Sequence, residues 1–399
     1  MQQRLTALYQ LLQRYRGIWI ESTYFNPQPS WLQQHPPLGQ WLLGLTEQQV
    51  ERYDGAQQQL LNDAAKLIPE LKSLSPLADF DLRQHSLATP IRARQFAHIP
   101  GRKLEQISHF VAALPPYSGK LLEWCAGKGH LGRMFASQQA CQITSLEYDQ
   151  SLCDAGAELA QRSGHQQQFV CQDALTTAAG SHVESEQRAV ALHACGDLHV
   201  SLLQLGVRKG TEQLAISPCC YHLTNNSCYQ PLSATAKQFD LQLTRDQLRL
   251  AVLQTATAPQ RVKRLRGTEV SYRLGLQWLL AQLGHSDKRL PSFGKQVLSS
   301  GFAGFIHWAL PQLAVADAVS DELLVQAEQI GEHGWQRQRR LDLARQLFRP
   351  AIEAYLVLDR GLYLTENGYR VDIFRFCPAH LTPRNILIFA ERRYADPNG

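Results

Sequence analysis

A turn containing two glycines, with acidic residues before and after it, is the feature of this 399-residue sequence that points most directly to chemistry. It lies in the segment Glu123-Trp-Cys-Ala-Gly-Lys-Gly-His-Leu-Gly132, where Gly127 and Gly129 allow backbone N–H groups to approach a ligand closely. A dinucleotide-binding fingerprint would have a glycine where this segment has Cys125. The turn therefore predicts a nucleotide-like ligand that is held differently from a dinucleotide.

Three carboxylates narrow the identity of that ligand. Glu147 ends the next predicted strand, 18 residues after Gly129, where a carboxylate can accept hydrogen bonds from ribose hydroxyls. Asp173 ends the third predicted strand, where its carboxylate can accept a hydrogen bond from the exocyclic amine of adenine. Glu123 lies in the first strand itself, where nicotinamide-binding folds have no acid. There it can organise the loop around the amino-acid end of the ligand. Together with Cys125 and the glycines, these residues favour S-adenosylmethionine, and the alternative is another doubly wound enzyme with a Gly-rich turn.

Short apolar runs that alternate with helical stretches must position this turn. Five runs from residue 120 to residue 218 predict parallel strands with helices on both faces of a sheet, and two runs near the C-terminus complete it. We therefore expect an α/β fold with a doubly wound, Rossmann-like, mostly parallel seven-stranded sheet. The predicted strands are Lys120–Cys125, Gln142–Glu147, Gln168–Asp173, Ala189–Cys195, Leu214–Pro218, Tyr369–Phe374 and Ile386–Ala390.

The remaining segments are predicted to be mainly helical. Residues 1–95 form an N-terminal helical cap, and residues 96–230 hold the first five strands of the core. Residues 231–335 are predicted to be a helical insertion after strand 5. Residues 336–399 provide a final helix, which Pro350 should break or kink, and the closing strand pair.

Composition limits the compartment and the partners. The chain is 44% hydrophobic and 19% charged, which excludes wholesale disorder, and its net charge of +5 permits an RNA partner without requiring one. We expect no membrane span and no secretion signal, because the apolar runs are short and the N-terminus is polar and amphipathic. Nine cysteines that form no CxxC pairs are typical of reduced thiols in a cytoplasmic protein.

Polar residues follow the fourth and fifth predicted strands, and we call them the acceptor wall. Ligands of doubly wound sheets lie outside the C-terminal strand ends, so these side chains should converge beside the ligand's reactive group. The wall consists of His193, Cys195 and Asp197 after the fourth strand and Cys219, Cys220, Tyr221 and His222 after the fifth.

Four wall residues are candidate catalytic residues for methyl transfer, which mainly demands in-line positioning and needs a base only when the nucleophile carries a proton. His193 or His222 could be that base, titrating near neutrality. Asp197 could orient a hydroxyl or an amine, and Tyr221 could stack on a base. The alternative for each is a structural role, which for His193 is the more common case.

The same wall offers ligands for a metal ion. Adjacent Cys219 and Cys220 have poor tetrahedral spacing, although Cys195, Cys220 and His222 could meet across the strands. Buried reduced thiols are the favoured interpretation, so no metal is predicted.

A basic run lies in the predicted insertion, and it could contact phosphates at the mouth of the site. The alternative is a solvated helix face, and no aromatic residue interleaves the run to make a stacking platform for single strands. The run comprises Arg261, Lys263, Arg264 and Arg266, and Arg273, Arg337, Arg339 and Arg340 could extend it.

Three blocks of this sequence resemble the methyltransferase-like-twenty-five family, also called ribosomal RNA adenine dimethylase domain-containing proteins. They are Glu123–Leu131, His193-Ala-Cys-Gly-Asp197 and Ser217-Pro-Cys-Cys-Tyr-His222, and they are also similar to blocks of the tRNA ribose methyltransferases that modify the acceptor stem. The resemblance covers roughly residues 98–392 and includes Leu381-Thr-Pro-Arg-Asn385.

The resemblance implies a class I methyltransferase fold and S-adenosylmethionine as cofactor. It also implies that Arg102 or Lys103, in a basic stretch before the sheet, meets the carboxylate of the cofactor. The other implied cofactor contacts are Glu123, Gly127, Gly129, Glu147 and Asp173.

The sequence departs from the adenine dimethylases at one informative position. An Asn-Pro-Pro-Tyr-type clamp should follow the fourth strand, and this chain has His193-Ala-Cys-Gly-Asp197 there, which argues against adenine N6 chemistry. The leading hypothesis is a methyltransferase acting on RNA, either tRNA or rRNA. The alternatives are a protein or small-molecule methyltransferase and a non-catalytic S-adenosylmethionine-binding or assembly protein.

Overall fold

The computed structural model describes residues 1–23, 26, 28–91, 96, 99–253 and 260–393. The chain divides into two compact units, which we call the sheet unit and the helical unit. The sheet unit comprises Met1–Arg14, Ser73–Leu253 and Arg349–Gly399, and the helical unit comprises Tyr15–Lys72 and Gln254–Phe348. These bounds differ from the predicted segments, because the predicted cap is divided between the units and residues 231–253 belong to the sheet unit.

Sixteen α-helices are found in the described residues, and the break expected near Pro350 falls between the last two. None of these helices is long and apolar enough to cross a membrane. The helices are α1 Gln2–Arg14, α2 Arg16–Ile20, α3 Trp31–Gln34, α4 Pro36–Leu43, α5 Glu47–Gly55, α6 Gln57–Ala64, α7 Leu74–Ala78, α8 Gly101–Ala112, α9 His130–Gln138, α10 Gln150–Ser163, α11 Asp197–Lys209, α12 Arg245–Leu250, α13 Gln260–Gln282, α14 Gly301–Gln312, α15 Asp321–Gln346 and α16 Arg349–Glu366.

Seven strands form one sheet, and each lies within two residues of its predicted bounds at either end. They are β1 Gly119–Trp124, β2 Cys141–Glu147, β3 Gln167–Cys171, β4 Gln187–Cys195, β5 Gln213–Cys219, β6 Tyr369–Arg375 and β7 Ile386–Arg392. The order is β3-β2-β1-β4-β5-β7-β6, with β1 to β5 parallel and β7 antiparallel to both β5 and β6. The predicted fold class is confirmed.

Both faces of the sheet are covered, as neighbouring side chains of β5 show. Ala215 belongs to the core that contains Phe110 of α8 and Phe135 of α9. Leu214 points to the opposite face, where it packs on Gly206 of α11. Because both faces are closed by helices, a ligand of this sheet has access at the carboxyl ends of the strands.

The helical unit is built around α13 and α15. Gly331 of α15 lies so close to α13 that a Cβ there would be 3.0 Å from the Cα of Gly275. Phe302, Phe305 and Ile306 of α14 complete an apolar core with the same helix pair. This packing fixes α13, which carries the predicted basic run.

Candidate functional site

The turn between β1 and α9 is made of residues in the left-handed backbone region. Cys125, Gly127 and Gly129 have φ angles of 56°, 58° and 63°. A Cβ at Gly129 would collide with the side chains of Gln167 and Phe169, whereas the space beside Gly127 is open. Gly129 is therefore required by conformation and by packing, and Gly127 leaves room for a ligand at the loop.

Two carboxylates lie beside this loop. Glu147, at the end of β2, accepts the N–H of Gly127 at 2.7 Å, and Asp173, after β3, accepts the N–H of Leu175 at 2.9 Å. Burial raises the pKa of Cys125 to about 12, and the charges of Glu147 and Asp173 add to that shift. Both carboxylates are thus close enough to the loop to act on a ligand held there.

Glu123 is buried between β1 and α9. Its carboxylate accepts the hydroxyl of Ser145 at 2.7 Å and backbone N–H groups of Leu131 and Gly132 in the first turn of α9. A carboxylate at this end of a helix satisfies N–H groups that have no partner within the helix. Glu123 therefore organises the loop by fixing the start of α9.

We expect Glu123→Gln to change how stability depends on pH. Burial raises the pKa of Glu123 to about 7, so the folded chain holds this proton more tightly than the unfolded chain does. The free energy of unfolding of the wild type should therefore fall as pH rises from about 4.5 through about 7, by about 1–3 kcal/mol from this group. The variant cannot titrate there and should lack that part of the fall in urea unfolding measured at pH 5 and pH 8. A difference between the two proteins that is the same at both pH values would contradict this expectation.

The two basic residues predicted to meet the cofactor carboxylate have different surroundings. The guanidinium of Arg102 donates to the carbonyl of Leu381 at 2.8 Å, in the loop that joins β6 and β7. Lys103 is exposed. Burial is the main cause of the lowered pKa values of His130, beside the loop, and of His193, at the end of β4, and the positive charge of Lys103 lowers both further. Lys103 is therefore the better placed of the two to meet a ligand between loop and wall.

His193 lies in a distorted end of β4. The pairing of β4 with β5 shifts between Leu192 and Cys195, and His193 has a φ of 66°. The amide of Gln106 hydrogen-bonds to its Nε2, and its Nδ1 is buried with no partner among the described residues. Burial lowers the pKa of His193 to about 4. This direction is away from neutrality, and the role of His193 as a base stays a prediction.

Asp197 begins α11 and lines a polar cleft. Its N–H donates to the carbonyl of Leu223 at 3.0 Å, and its carboxylate accepts the N–H of Asn225 at 2.9 Å. The cleft has a volume of about 930 Å³ and follows one face of α11 from Asp197 to Arg208. The polar residues that line it include Thr176, Thr177, Ser181, Ser201, Gln204, Lys209, Thr224, Asn226 and Gln230.

The two aromatic residues after β5 are placed differently. Tyr221 is buried, with its ring 6.0 Å from the ring of His199 in an edge-on contact and 5.0 Å from the guanidinium of Arg360. The prediction that Tyr221 stacks on a substrate base is therefore wrong, because other side chains already cover its ring. His222 is partly exposed, and its partial burial lowers its pKa below the usual value.

Four buried polar atoms at the acceptor wall have no hydrogen-bond partner within the described part of the chain. They are Nδ1 of His193, Oη of Tyr221, Nδ1 of His222 and Nε of Arg384. The charge of Arg384 contributes to the pKa shifts of all three other residues, so Arg384 lies near each of them. Buried polar atoms are normally paired, so these four are candidates for contact with a ligand or with ordered water.

The predicted basic run lies on α13 and belongs to the helical unit. Arg261, Arg264 and Arg266 are exposed, and Lys263 is partly buried. The neighbouring cations predicted to extend the run have structural partners. Arg273 donates to the carbonyls of Leu290 and Pro291, Arg339 forms ion pairs with Glu47 and Asp54, and Arg340 pairs with Glu47.

These surroundings fit S-adenosylmethionine. The open space at Gly127 can admit the ligand, and Glu147 stands at the end of β2, where ribose hydroxyls are bound in related folds. Asp173 offers an acceptor for the adenine amine, and Lys103 offers a cation for the amino-acid carboxylate.

Residues 102–227 match the sequence profile of a family described as a methyltransferase domain. No curated protein matches the sequence. Similar solved structures include TrmK of M. capricolum with S-adenosyl-homocysteine, which is 12% identical over 30% of this chain and 52% of that one, with a TM-score of 0.24. A second is a SAM-dependent methyltransferase from Thiobacillus denitrificans with the same ligand (17% identity, 32% and 56% of the two chains, TM-score 0.25).

A third similar structure is the geranyl diphosphate C-methyltransferase of Streptomyces coelicolor, at 11% identity over 37% of this chain and 64% of that one, with a TM-score of 0.25. The chain thus spans between 52% and 64% of the length of these three structures. The match of residues 102–227, together with the sheet order and the loop after β1, identifies an S-adenosylmethionine-dependent methyltransferase domain in this chain.

Proposed function

We propose that this chain is an RNA methyltransferase of the methyltransferase-like-twenty-five family that acts on tRNA or rRNA in the cytoplasm. The observation that carries the proposal is the group of unpartnered polar atoms at the acceptor wall, on His193, His222 and Arg384. Such groups find partners in the oxygen-rich edges and phosphates of nucleotides. All nine cysteines are free thiols, which supports a reducing compartment.

The loop after β1 holds the cofactor in this proposal. Glu147 accepts hydrogen bonds from the ribose, for which it releases or shares the N–H of Gly127. Asp173 binds the adenine amine, and Lys103 pairs with the carboxylate at the opposite end. Glu123 contributes indirectly, because it fixes the first turn of α9 below the loop.

S-adenosylmethionine, when bound, supplies an electrophilic methyl carbon on a sulfonium. The wall then has to hold a nucleophilic atom of the substrate in line with that carbon. Asp197 lines the cleft and can accept a hydrogen bond from an amine or a hydroxyl, which turns the lone pair of the nucleophile toward the methyl group. His193, fixed by Gln106, and Arg384 orient the rest of the nucleotide.

The cleft along α11 accounts for a substrate larger than one nucleotide. Most of the residues that line it have a polar side chain, and Arg208 and Lys209 stand at the end far from Asp197, where they can contact a phosphate. The cations of α13, in the helical unit, are proposed to contact phosphates of RNA as well. They are Arg261, Arg264 and Arg266, which are exposed, and Lys263, which is partly buried.

Mass-spectrometric comparison of RNA nucleosides and protein residues in a deletion strain tests the substrate class. We expect one RNA nucleoside to lose a methyl group and to regain it when the wild-type chain is restored. Loss of a methyl group from a protein residue with unchanged RNA would overturn the RNA proposal in favour of a protein methyltransferase. Unchanged RNA and protein, with cofactor binding intact, would instead favour a small-molecule acceptor or a binding role.

Glu147→Ala should weaken S-adenosylmethionine binding by about 10- to 100-fold, since it removes charge-assisted hydrogen bonds worth about 1.5–3 kcal/mol in total. Calorimetric titration of the purified chain measures this effect. Glu158→Ala, an exposed residue of α10, is the matched control and should bind as the wild type does. Equal affinities for Glu147→Ala and the wild type would remove Glu147 from the cofactor site.

A further inference from the structure

Three cysteine sulfurs meet where β4 and β5 end. The Sγ atoms of Cys195, Cys219 and Cys220 all lie within 4.8 Å of one another, and those of Cys195 and Cys219 are 3.4 Å apart. The sequence offers Cys195, Cys220 and His222 as the alternative metal set, since adjacent Cys219 and Cys220 have poor tetrahedral spacing. Among the described residues, the group that actually converges contains Cys219 and has no histidine in it.

The backbone is distorted at both strand ends in a way that brings these sulfurs together. Successive residues of an extended strand point to opposite faces, so Cys219 and Cys220 should diverge. Cys220 has a φ of 47°, and His193, just before Cys195, has a φ of 66° at the bulge in β4. Each left-handed residue other than glycine costs about 1–2 kcal/mol, and such strain is retained mainly where function requires it.

We propose that Cys195, Cys219 and Cys220 bind a thiophilic d¹⁰ metal ion, Zn²⁺ or Cu⁺, as thiolates. A Zn–S bond of about 2.3 Å places the sulfurs of a tetrahedral site about 3.8 Å apart, which lies within the spacing of this group. Arg384 interacts electrostatically with Cys195 and Cys220, so its charge offsets the excess negative charge of three thiolates. A site with three protein ligands leaves the fourth position of a tetrahedral ion to water or substrate, as in catalytic zinc sites.

The test uses the whole chain, purified under reducing conditions without cofactor or RNA. Zn²⁺ and Cu⁺ are each titrated against a coloured chelator, and Co²⁺ is added to read the thiolate-to-cobalt charge-transfer absorption. We expect about one ion per chain for the metal that the site prefers, and a loss of affinity of at least about 100-fold in Cys195→Ser, Cys219→Ser and Cys220→Ser. Cys171→Ser, at an exposed cysteine, is the matched control and should bind as the wild type does.

A readout on the wild type protects the test against variants that fail to fold. Bound metal should shield these three cysteines from alkylation, as mapped by peptide mass, and a chelator should remove the shielding. Failure of the reduced chain to bind either ion, or equal binding by the wild type and a folded Cys220→Ser, would overturn the proposal. So would a disulfide among the three cysteines whose reduction yields no metal-binding chain. None of these readouts depends on methyl transfer, so the RNA proposal stands or falls separately.

Discussion

Replacing Gly196 with Ala is expected to destabilise the sheet unit by about 3 kcal/mol or more. Gly196 has φ 55° and ψ −123°, a conformation that residues with a Cβ rarely adopt. A Cβ there would overlap the carbonyl oxygen of Leu223 and lie 2.5 Å from its carbonyl carbon. That oxygen accepts the N–H of Asp197, so the substitution must separate the start of α11 from the segment after β5.

Chemical denaturation of Gly196→Ala, with S-adenosylmethionine binding measured alongside, checks this expectation. Gly164→Ala is the matched control, because Gly164 also has a positive φ, of 70°, but has open space where a Cβ would lie. The control should lose only about 1 kcal/mol, the conformational cost at a helix C-terminus. Similar losses of unfolding free energy at the two positions would show that the clash with Leu223 is relieved at little energetic cost. The start of α11 and the segment after β5 would then not be held together as described.

Asp359→Ala should cost about 3–5 kcal/mol, because it leaves several donors buried without their acceptor. Asp359 is fully buried in α16 and accepts the N–H groups of Leu232 and Ser233, each at 2.8 Å. It also accepts the hydroxyl groups of Ser233, at 2.5 Å, and of Tyr229. These bonds hold the segment that forms one side of the cleft along α11.

Glu366→Ala provides the comparison for Asp359→Ala. Glu366 lies at the exposed end of the same helix and accepts the N–H of Ala234 at 2.7 Å, only one residue beyond Ser233. Because water can replace an exposed acceptor, we expect a loss of at most about 1 kcal/mol. Urea unfolding of both variants measures the contrast. Equal losses would mean that burial of Asp359 does not set the strength of its contacts.

The strands β4, β5 and β7 could be predicted because most of their residues are buried. All seven residues of β5 are buried, and such strands appear in a sequence as short apolar runs between helical stretches. The break before α16 could be predicted as well, because Pro350 has no N–H to donate to a preceding turn and is tolerated only in the first turn of a helix, which is where it lies in α16. The boundaries of the two units could not be predicted from local patterns in this way. Nothing local in α1 shows that it packs on α16 while the residues from Tyr15 onward join the other unit.

The geometry of the Gly-rich loop after β1 could be predicted because its residues are close together in the sequence or end neighbouring strands, and its role in holding the cofactor stays a prediction. The acceptor wall could be predicted only in part. Gln106 of α8 hydrogen-bonds to His193, and the charge of Arg384, in the loop before β7, lowers its pKa. No local pattern in the sequence shows that either residue lies beside the end of β4. Arg384 had one signal in the sequence, its position in the last block of the family resemblance, and Gln106 had no such signal.

The burial of Tyr221 also depends on distant partners, namely His199 and Arg360. A polar residue after a strand looks the same in the sequence whether it faces a ligand or the core. The lowered pKa of His193 has the same origin, because burial by α8 and the β6–β7 loop is a tertiary property.

The antiparallel pairing of β5 with β7 has a consequence for synthesis on the ribosome. Gln213 of β5 donates to Glu391 of β7, 178 positions later in the chain. At a translation rate of roughly 5–20 residues per second, β5 waits on the order of 10–35 s for its neighbour. During that interval the nascent chain carries an apolar strand with one edge open, which is the kind of surface that chaperones bind and that aggregates. The last strand of the sheet to be made is thus the one that covers this edge of β5.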